Sequence, residues 1–583
     1  MFRMFKKLFR SVREYKKESL FAPFFMIGEV AMECLIPLFT ARLINSIQTG
    51  SDMREIMHYA WILIGMALLS MTCGMLSGWF AATASAGFSK NLRHDLYDRV
   101  KDFSFANIDD FSSSSLVTRL TTDVANVQMA YMMVIRIAVR APMMLIFSII
   151  MAVNLGGNLA FTFVAVIPIL GCGLLMIARK ALPVFRAVFK KYDKLNESVE
   201  ENVRGMRVVK SFVREDYEKQ KFAVAAGNVR KDFTKAERIL AFNNPLMLFA
   251  IDFCMLVIPF FAARIIVSSG GSSMMVGNLS SLMTYSMQIL MSLMMLSMIF
   301  VMFTFSIESA RRITEVIDTE STIKNPENPV TEVKDGSIDF ENVDFKYSEG
   351  AQKFALSDIN LHIASGQTVG IIGGTGSSKT TLIQLIPRLY DVTDGTVRVG
   401  GIDVRNYDLK TLRHEVSVVL QKNVLFSGTI KDNVRWGKED ATDEEIYEAC
   451  RLAQADEYIQ SFPDKYDKYI EQGGANVSGG QKQRLCIARA LIAKPKILIL
   501  DDSTSAVDTK TDALIRKAFA EEIPDTTKII IAQRVASVED ADMIIVMDNG
   551  TISDTGTHEE LLERSPIYRE VYESQTKGGE EDA

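Results

Sequence analysis

A glycine-rich run in the C-terminal half of the chain contains the residue types that bind a polyphosphate: Gly373-Gly374-Thr375-Gly376-Ser377-Ser378-Lys379-Thr380. It follows the apolar segment QTVGII, which predicts a buried strand, and it opens TTLIQLI, which predicts a helix. In such a loop, backbone N–H groups close around phosphate oxygens, a lysine supplies a cation for the β- and γ-phosphates, and a hydroxyl holds Mg²⁺. Lys379 and Thr380 fit these roles, so residues 373–381, including Thr381, are predicted to bind a nucleotide.

Ser378 occupies the position before the lysine, where loops of this kind usually have glycine. Glycine accepts unusual backbone conformations more easily than a residue with a side chain. We therefore expect Ser378 to hold a backbone conformation that would be easier for glycine. The strand, the lysine and the hydroxyl all remain, so the predicted phosphate site stands.

Two segments further along the chain complete a nucleotide site. The apolar segment KILIL ends in Asp501-Asp502, and in phosphate-loop ATPases an aspartate at this point holds Mg²⁺. Asp501 fits that role. Between the two motifs lies Val477-Ser478-Gly479-Gly480-Gln481, followed by the helical pattern KQRLCIARALI. Its glycines and the start of the following helix suit a γ-phosphate held across an interface.

The segment VSGGQKQR resembles the signature motif of the ABC transporter family, which in that family varies little from LSGGQ. The resemblance covers the whole chain, because apolar runs followed by one such domain match the plan of an ABC exporter half-transporter. It implies that ATP and Mg²⁺ are the cofactors, and that each ATP lies between the phosphate loop of one chain and the signature motif of another. It also implies that Tyr347 stacks on adenine, that Gln421 links nucleotide and Mg²⁺ to the membrane domain, and that Asp508 is the D-loop aspartate.

Two positions depart from the pattern of that family. The residue after the Mg²⁺ aspartate, normally a glutamate that positions or activates water, is Asp502, whose side chain is shorter. The switch histidine, which contacts the γ-phosphate, is replaced by Gln533 in IIIAQR, and a neutral amide cannot become cationic. Because a displacement of about 1 Å can cost roughly 100-fold in rate, the two changes predict a site that binds ATP and cleaves it poorly.

These departures predict a partner chain. A homodimer would contain only impaired sites, whereas a second ABC half-transporter with the consensus Glu and His would form a competent site with Ser478–Gln481 of this chain. The pattern resembles the degenerate-site subunit of bacterial heterodimeric multidrug exporters, which implies efflux of hydrophobic or amphipathic small molecules. A lipid or peptide flippase, an importer, an ATP-gated channel or regulatory subunit, and a slow homodimeric pump remain open alternatives.

The elements that must position these residues differ between the two halves of the chain. A membrane-spanning helix needs about 20 mostly apolar residues, and the sequence has candidates near 20–46, 57–85, 132–154, 159–182, 243–267 and 279–307. The connections at 154–158 and 268–278 carry no charge, whereas 89–130 and 183–240 are rich in Lys and Arg. Positive charge stays in the cytoplasm, so we expect a multi-pass plasma-membrane protein with both termini cytoplasmic.

The long charged connections contain the segments 105–124 and 196–216, which we interpret as helical extensions with short polar breaks. Solvated loops are the alternative. In the ABC exporter family these regions carry the coupling helices, which agrees with the first interpretation.

Ionisable and methionine residues within the apolar runs are candidates for substrate contacts. Glu29 and Glu33 share one face of a helix, and Asp252 lies in the middle of a later run. Charged groups inside a membrane usually face an interior or a cavity, and acids there would favour cationic substrates. The alternative is that these charged groups pair with each other or lie near the membrane interface. Met287 and Met291 belong to a stripe that suits a promiscuous surface or plain helix packing.

The sequence thus predicts an α-helical six-span transmembrane domain over 1–318, a linker at 319–336, an α/β P-loop nucleotide-binding domain over 337–575 and an acidic tail at 576–583. A net charge of −6 gives no argument for a nucleic-acid partner. The cysteines lack metal-ligand spacing and do not suggest disulfides.

Overall fold

The computed structural model describes residues 2–348, 350–503 and 507–580. The chain forms two compact units. The helical unit comprises Met1–Lys101 and Ser112–Glu320, and the α/β unit comprises Asp102–Phe111 and Ser321–Ala583. A short segment from the first half of the sequence therefore belongs with the α/β unit. The last three residues of the acidic tail, 581–583, lie outside the described residues.

The helical unit consists of helices that range from 6 to 49 residues in length. They are α1 Phe2–Leu8, α2 Lys16–Gln48, α3 Met53–Lys101, α5 Ser113–Thr118, α6 Val124–Ile135, α7 Ile137–Gly156, α8 Phe161–Arg204, α9 Met206–Ser211, α10 Glu215–Leu240, α11 Asn243–Ser269 and α12 Val276–Asp318, while α4, Phe105–Phe111, belongs to the α/β unit. Among the described residues, 6 stretches are long and apolar enough to cross a membrane: Met4–Gln48, Met53–Lys101, Ser113–Phe163, Ala165–Phe185, Glu215–Ser269 and Val276–Ile299. The predicted spans are confirmed.

Helical structure with short breaks also occupies both long charged segments. In the first, α4 and α5 are separated by Ser112, whose φ is 55°. In the second, α8 ends at Arg204 and α9 is followed by a turn before α10. The interpretation as helical extensions is confirmed, and the solvated-loop alternative is wrong.

Polar contacts fix α12 against α2 within the apolar part of the helical unit. The Tyr285 hydroxyl donates to the Cys34 carbonyl at 2.7 Å, and the Gln288 amide donates to the Glu33 carbonyl at 3.2 Å. At the start of α12, a Cβ built on Gly277 would lie 2.2 Å from the Ala41 carbonyl oxygen of α2, so only glycine permits this approach. Small residues and buried hydrogen bonds replace the hydrophobic driving force that is missing between helices in lipid.

Short β-branched segments form the strands of the α/β unit: β1 Ile338–Phe345, β2 Leu356–Ile363, β3 Thr368–Gly373, β4 Asp394–Val399, β5 Ile402–Asp403, β6 Val416–Val419, β7 Gly428–Thr429, β8 Tyr469–Ile470, β9 Ile497–Asp501, β10 Thr527–Ile531, β11 Met543–Asp548 and β12 Thr551–Gly556. The central sheet has the order β12-β11-β3-β10-β9-β6, and a second sheet has the order β2-β1-β4-β5. In the central sheet, β12 pairs antiparallel with β11 and the other pairings are parallel. A mainly parallel sheet with crossover helices is the architecture that the alternating pattern predicted.

Helices cover this sheet and form a separate helical region between β6 and β9. They are α13 Lys379–Leu385, α14 Leu409–Glu415, α15 Ile430–Arg435, α16 Asp443–Leu452, α17 Asp456–Gln460, α18 Gly479–Leu491, α19 Thr509–Glu522, α20 His558–Arg564 and α21 Pro566–Glu580. One buried apolar cluster joins α15, α16 and α18 to β9, and another joins β1 and β2 to α13 and β3. The sheet edge that carries the predicted site is thereby held between two cores.

The helix α4 is attached to the α/β unit through Tyr390. The Tyr390 hydroxyl donates to the Asp109 carboxylate at 2.6 Å, and the Tyr390 and Phe105 rings make an edge contact with centroids 6.0 Å apart. Burial and the neighbouring carboxylate raise the pKa of Tyr390, so its hydroxyl remains a donor. The Ser104 and Thr322 hydroxyls lie 2.7 Å apart and add a second attachment.

Tyr390→Phe removes the hydroxyl that holds Asp109. Since a hydrogen bond contributes about 1 kcal/mol, we expect amide hydrogens of α4 to exchange roughly fivefold faster than in the unchanged chain. Hydrogen-exchange mass spectrometry measures this directly. Tyr407→Phe is the matched control, because the Tyr407 hydroxyl donates to the Val399 carbonyl at 2.8 Å within the same unit. Unchanged α4 exchange in Tyr390→Phe, or an equal change in the control, would contradict the assignment.

Candidate ATP site

The predicted site residues meet at one edge of the central sheet because their strands are neighbours. The parallel strands β3, β10, β9 and β6 lie side by side, and Ile531 of β10 pairs with both Ile371 of β3 and Asp501 of β9. Parallel strands end at the same edge of a sheet. The loops that follow them therefore bring together the phosphate loop, Gln533, the Asp501-Asp502 pair and Gln421.

The phosphate loop folds around the ammonium group of Lys379. Its Nζ donates to the carbonyls of Gly373 at 2.8 Å and Gly374 at 2.9 Å, and it lies 3.3 Å from Ser377 Oγ. Burial lowers the pKa of Lys379, while the Asp501 and Asp502 carboxylates act in the opposite direction. The cation is thus positioned inside the loop, where incoming phosphate oxygens can replace the carbonyls as its acceptors.

Ser378 adopts a left-handed backbone conformation, with φ 70° and ψ 25°, at the cap of α13. The loop residue Gly376 also has a positive φ, of 84°. The left-handed backbone conformation raises the free energy of a residue with a Cβ by about 1–2 kcal/mol, whereas glycine adopts it without this cost. The expectation that Ser378 holds a conformation easier for glycine is confirmed by this geometry.

Thr380 and Asp501 form an oxygen cluster beside the loop. The Thr380 hydroxyl lies 3.1 and 3.0 Å from the two carboxylate oxygens of Asp501, which is 2% exposed. Burial raises the pKa of Asp501, the hydrogen bond from Thr380 lowers it, and the neighbouring Asp502 raises it further. Hydroxyl and carboxylate oxygens are the ligands that Mg²⁺ prefers, and a divalent cation would neutralise this buried acid. The residues present therefore fit Mg²⁺.

Asp502 and Gln533 are in direct contact. The Gln533 amide Nε2 donates to Asp502 Oδ2 at 2.7 Å, and Gln421 also hydrogen-bonds to this carboxylate. Burial raises the pKa of Asp502, while the hydrogen bonds from Gln421 and Gln533 lower it. The backbone of Asp502 is left-handed, with φ 50°. The Asp502 carboxylate, which follows β9, is thus held by amides that follow β6 and β10, the strands on either side of it.

Tyr347 lies next to the helix that follows the phosphate loop. Its hydroxyl is 2.9 Å from Thr381 Oγ1, and its ring makes an edge contact with Tyr390, with centroids 5.2 Å apart. The side chain is 49% exposed, so one face of the ring is available to a planar base. Tyr347 thus places a half-exposed aromatic ring beside the helix that follows the phosphate loop.

The signature segment forms the start of α18. Ser478 caps this helix by accepting a hydrogen bond from the Gln481 backbone N–H at 3.3 Å, and the Gln481 side chain accepts from the Ser478 N–H at 3.0 Å. Ser478 and Gly479 are exposed, Gly480 lies within the first turn, and Asp508 caps α19 by accepting from the Thr511 N–H. A capped and exposed helix start presents its N–H groups to an anion from outside the chain.

Sequence reasoning missed the direct contact between Gln533 and Asp502, and it missed Tyr390. The pairing of β9 with β10 brings Asp502 and Gln533 together, and strand order cannot be read from a single sequence. Tyr390 lies in the segment PRLYDV after α13, and its aromatic character alone gave no signal of a role.

Two family models match the chain. The model described as "ABC transporter transmembrane region" matches residues 19–310, and the model described as "ABC transporter" matches residues 356–505. The first covers half of the sequence. The chain belongs to the ABC transporter family.

The transporter is similar over its length to two proteins of Bacillus subtilis (strain 168). The ABC transporter ATP-binding protein YfiB is 36% identical over 570 residues, which cover 98% of each chain. The protein YknU is 31% identical over 575 residues, covering 98% of this chain and 97% of YknU. The chain is an ATP-hydrolysing transporter.

The fold is similar to a solved structure described as a bacterial Atm1-family ABC exporter with ATP bound. The TM-score is 0.82, the identity is 23%, and the alignment covers 96% of this chain and 98% of that one. This likeness concerns the fold, and it agrees with six membrane-spanning helices followed by an α/β nucleotide-binding domain.

The acidic candidates in the membrane part of the transporter are paired. Arg140 of α7 donates to Glu29 Oε1 at 2.5 Å and to both Glu33 oxygens at 2.8 Å. A Cβ built on Gly74 of α3 would lie 3.1 Å from the Glu29 carboxylate, so α3 closes over this ion triad. One carboxylate oxygen, Glu29 Oε2, is buried without a partner among the described residues.

The other substrate candidates are exposed. Asp252 lies on an exposed part of α11, and Met287 and Met291 are 36% and 47% exposed on α12. Packing within this chain does not cover these methionines, so they remain available to a second subunit or to a substrate.

Arg140→Met is expected to lower the stability of the transporter by about 3 kcal/mol, because it leaves two intramembrane carboxylates without their cation. The apparent melting temperature in detergent measures the change. Arg136→Met is the matched control, since Arg136 lies close by in the same span and forms no ion pair among the described residues. Equal melting temperatures for the two variants would show that the triad is not a stabilising unit.

Ser378→Gly is expected to relieve the left-handed backbone at the phosphate loop and to raise the stability of the ATP-binding domain by roughly 0.5–1 kcal/mol. Thermal unfolding of the purified transporter, followed by fluorescence in the presence and absence of ATP, measures this. Thr375→Gly is the control, because Thr375 lies in the same loop without a positive φ, so glycine there only adds flexibility to the unfolded chain. A gain in Thr375→Gly and none in Ser378→Gly would reverse the argument.

Proposed function

We propose that this chain is the degenerate-site half of a heterodimeric ABC exporter that expels hydrophobic or amphipathic small molecules. The observation that carries the proposal is the 2.7 Å hydrogen bond from Gln533 to Asp502, which joins the two positions that depart from the family pattern. In this proposal, the groups that bind ATP are retained, whereas the two groups that would promote its cleavage are both replaced.

The geometry supports the proposal that ATP is cleaved slowly in this chain's own site. Asp502 reaches one methylene less far than a glutamate, and its carboxylate is already hydrogen-bonded by Gln421 and Gln533. Both amides occupy acceptor positions of this carboxylate, and the neutral Gln533 amide offers no positive charge to the γ-phosphate. Displacement of the attacking water by about 1 Å is enough for a loss of roughly 100-fold.

ATP binding remains supported by the rest of the site. Lys379 lies inside the phosphate loop, and Tyr347 offers a half-exposed ring beside it. Mg²⁺ would be held by Thr380 and Asp501, with Gln421 nearby, and it would supply positive charge to the phosphates. ATP in this site would then act mainly as a clamp, since a ligand shifts a conformational equilibrium only by binding one state more tightly.

The signature segment supports a competent site in the partner. Ser478 and Gly479 are exposed at the capped start of α18, which retains the N–H groups needed to contact a γ-phosphate. A second half-transporter that carries the consensus Glu and His would complete a hydrolytic site with this segment.

Two uncovered surfaces also support a second subunit. The turn after α9 contains Phe212 and Val213, whose side chains are 73% and 80% exposed. The α/β unit has a groove of about 740 Å³ whose lining includes Leu420, Phe426 and Trp436. Apolar side chains exposed at this level mark interaction surfaces, and a partner of the same plan carries both complementary features.

The paired variant Asp502→Glu with Gln533→His restores the consensus groups and is expected to raise ATP turnover per dimer by tenfold or more, within the roughly 100-fold that misplacement costs. The chain is expressed with and without a candidate second half-transporter that carries the consensus Glu and His, and phosphate release is measured for each. The control Asp525→Glu with Gln460→His makes the same chemical changes at exposed positions of the same unit. Brisk turnover by the unchanged chain alone would refute the heterodimer, and no gain in the paired variant would refute the degenerate site.

Transport direction and substrate class are tested in inverted vesicles. Uphill, vanadate-sensitive accumulation of a hydrophobic cationic dye supports the exporter. Passive conductance would identify a channel, and movement of labelled lipid between leaflets without dye transport would identify a flippase.

A further inference from the structure

The N-terminal segment, residues 2–15, is fastened to α3. Asn91 Nδ2 donates to the Ser11 carbonyl at 3.0 Å, and the Ser11 hydroxyl donates to Asp95 at 2.6 Å. A Cβ built on Gly87 would lie 2.3 Å from the Tyr15 ring, so the ring packs directly on the backbone of α3. The segment is therefore a fixed wall of the helical unit.

This wall encloses a cavity of about 280 Å³ between the N-terminal segment, α3, α6 and α12. Aromatic side chains line it: Phe5 stacks on Phe303 with centroids 5.3 Å apart, and Phe88 stacks on Tyr131 at 4.5 Å. Phe9 also lines it and is 50% exposed, so the cavity has a side that is not sealed.

The polar side chains that line the cavity are already hydrogen-bonded, so the cavity is a poor site for a buried water. Of its polar side chains, Tyr131 already contacts Ser19 Oγ at 2.7 Å, and Ser306 Oγ donates to the Met302 carbonyl at 3.1 Å. A buried water needs two to four polar partners, and an apolar cavity of about 150 Å³ stays dry and binds benzene. A cavity of this larger volume and lining favours an apolar chain.

Basic side chains also belong to the N-terminal segment that lines the cavity. Lys6 and Arg10 are exposed and form no ion pair among the described residues. The other two basic residues nearby are paired: Lys7 forms an ion pair with Asp318, and Arg13 forms one with Asp95. Lys6 lies in α1 and Arg10 in the 3-10 segment Phe9–Tyr15 that follows it, and each comes directly after an aromatic residue that lines the cavity, Phe5 and Phe9. A segment that alternates aromatic and basic residues in this way suits a membrane interface.

We propose that the cavity and this basic pair form a binding site for one anionic phospholipid, with an acyl chain in the cavity and the phosphate on Lys6 and Arg10. The lipid belongs to the leaflet on the side of the N-terminus. The site touches α3, α6 and α12 together, so lipid occupancy stabilises one arrangement of these helices. Charge complementarity favours a lipid over the alternatives: an uncharged drug would not need the basic pair, and a segment of a second subunit would need acids to match it.

The test uses the full-length transporter in the form in which it is purified from membranes, with its partner where one is present. The protein is exchanged into detergent with equal amounts of phosphatidylglycerol and phosphatidylcholine, and retained lipid is counted by native mass spectrometry. We expect retained phosphatidylglycerol in the unchanged protein. In Lys6→Ala with Arg10→Ala, its affinity should fall about 30-fold, since each basic residue contributes about 1 kcal/mol toward anionic lipid. Lys16→Ala with Lys17→Ala removes the same charge from exposed positions outside the cavity lining and should change little.

A second variant tests the cavity itself. Ala130→Phe places a ring among the lining residues of α6 and should abolish retention of both lipids, whereas Ala125→Phe, at an exposed position of the same helix, should not. Equal retention of the two lipids by the unchanged protein, or unchanged phosphatidylglycerol retention in either test variant, overturns the proposal. Loss of dye transport in Ala130→Phe with lipid retention intact would assign the cavity to the transported substrate instead.

Discussion

Parallel pairing of β3, β10, β9 and β6 is the constraint on which the ATP site depends. Each strand is followed by a loop that contributes one functional group, and the pairing of Ile531 with Asp501 sets the distance between two of those loops. A shift of register by one residue would reverse the side chains of a whole strand. The site is therefore a property of strand order and register, and the identity of individual side chains then decides what the site does.

Within that fixed frame, the two positions that depart from the family pattern lie beside the groups that fit phosphate and Mg²⁺. Lys379, Thr380 and Asp501 keep contacts suited to phosphate and Mg²⁺. Asp502 and Gln533 instead bond to each other at 2.7 Å. Holding a nucleotide depends on many weak contacts, whereas cleaving it depends on the position of one water, so cleavage is the more sensitive of the two to a change of side chain.

The sequence predicted the spans, the α/β class and the phosphate loop because their signals are local. Apolar runs, β-branched segments and glycine spacing are read within a few residues. The pairing of Arg140 with Glu29 and the contact of Gln533 with Asp502 join segments far apart in sequence, so no local pattern contained them. The alternatives left open for the intramembrane acids were open for that reason, and the structure pairs Glu29 and Glu33 with a single guanidinium.

The division of the chain has a practical consequence for work on fragments. Because Asp102–Phe111 is part of the α/β unit, a recombinant piece that starts at Ser321 would lack one of its own helices. The ring of Tyr390 would lose Phe105, and its hydroxyl would lose the carboxylate that accepts from it. Such a piece would expose to solvent the aromatic surface that α4 covers. It would therefore aggregate more readily than the same unit supplied with a peptide corresponding to α4.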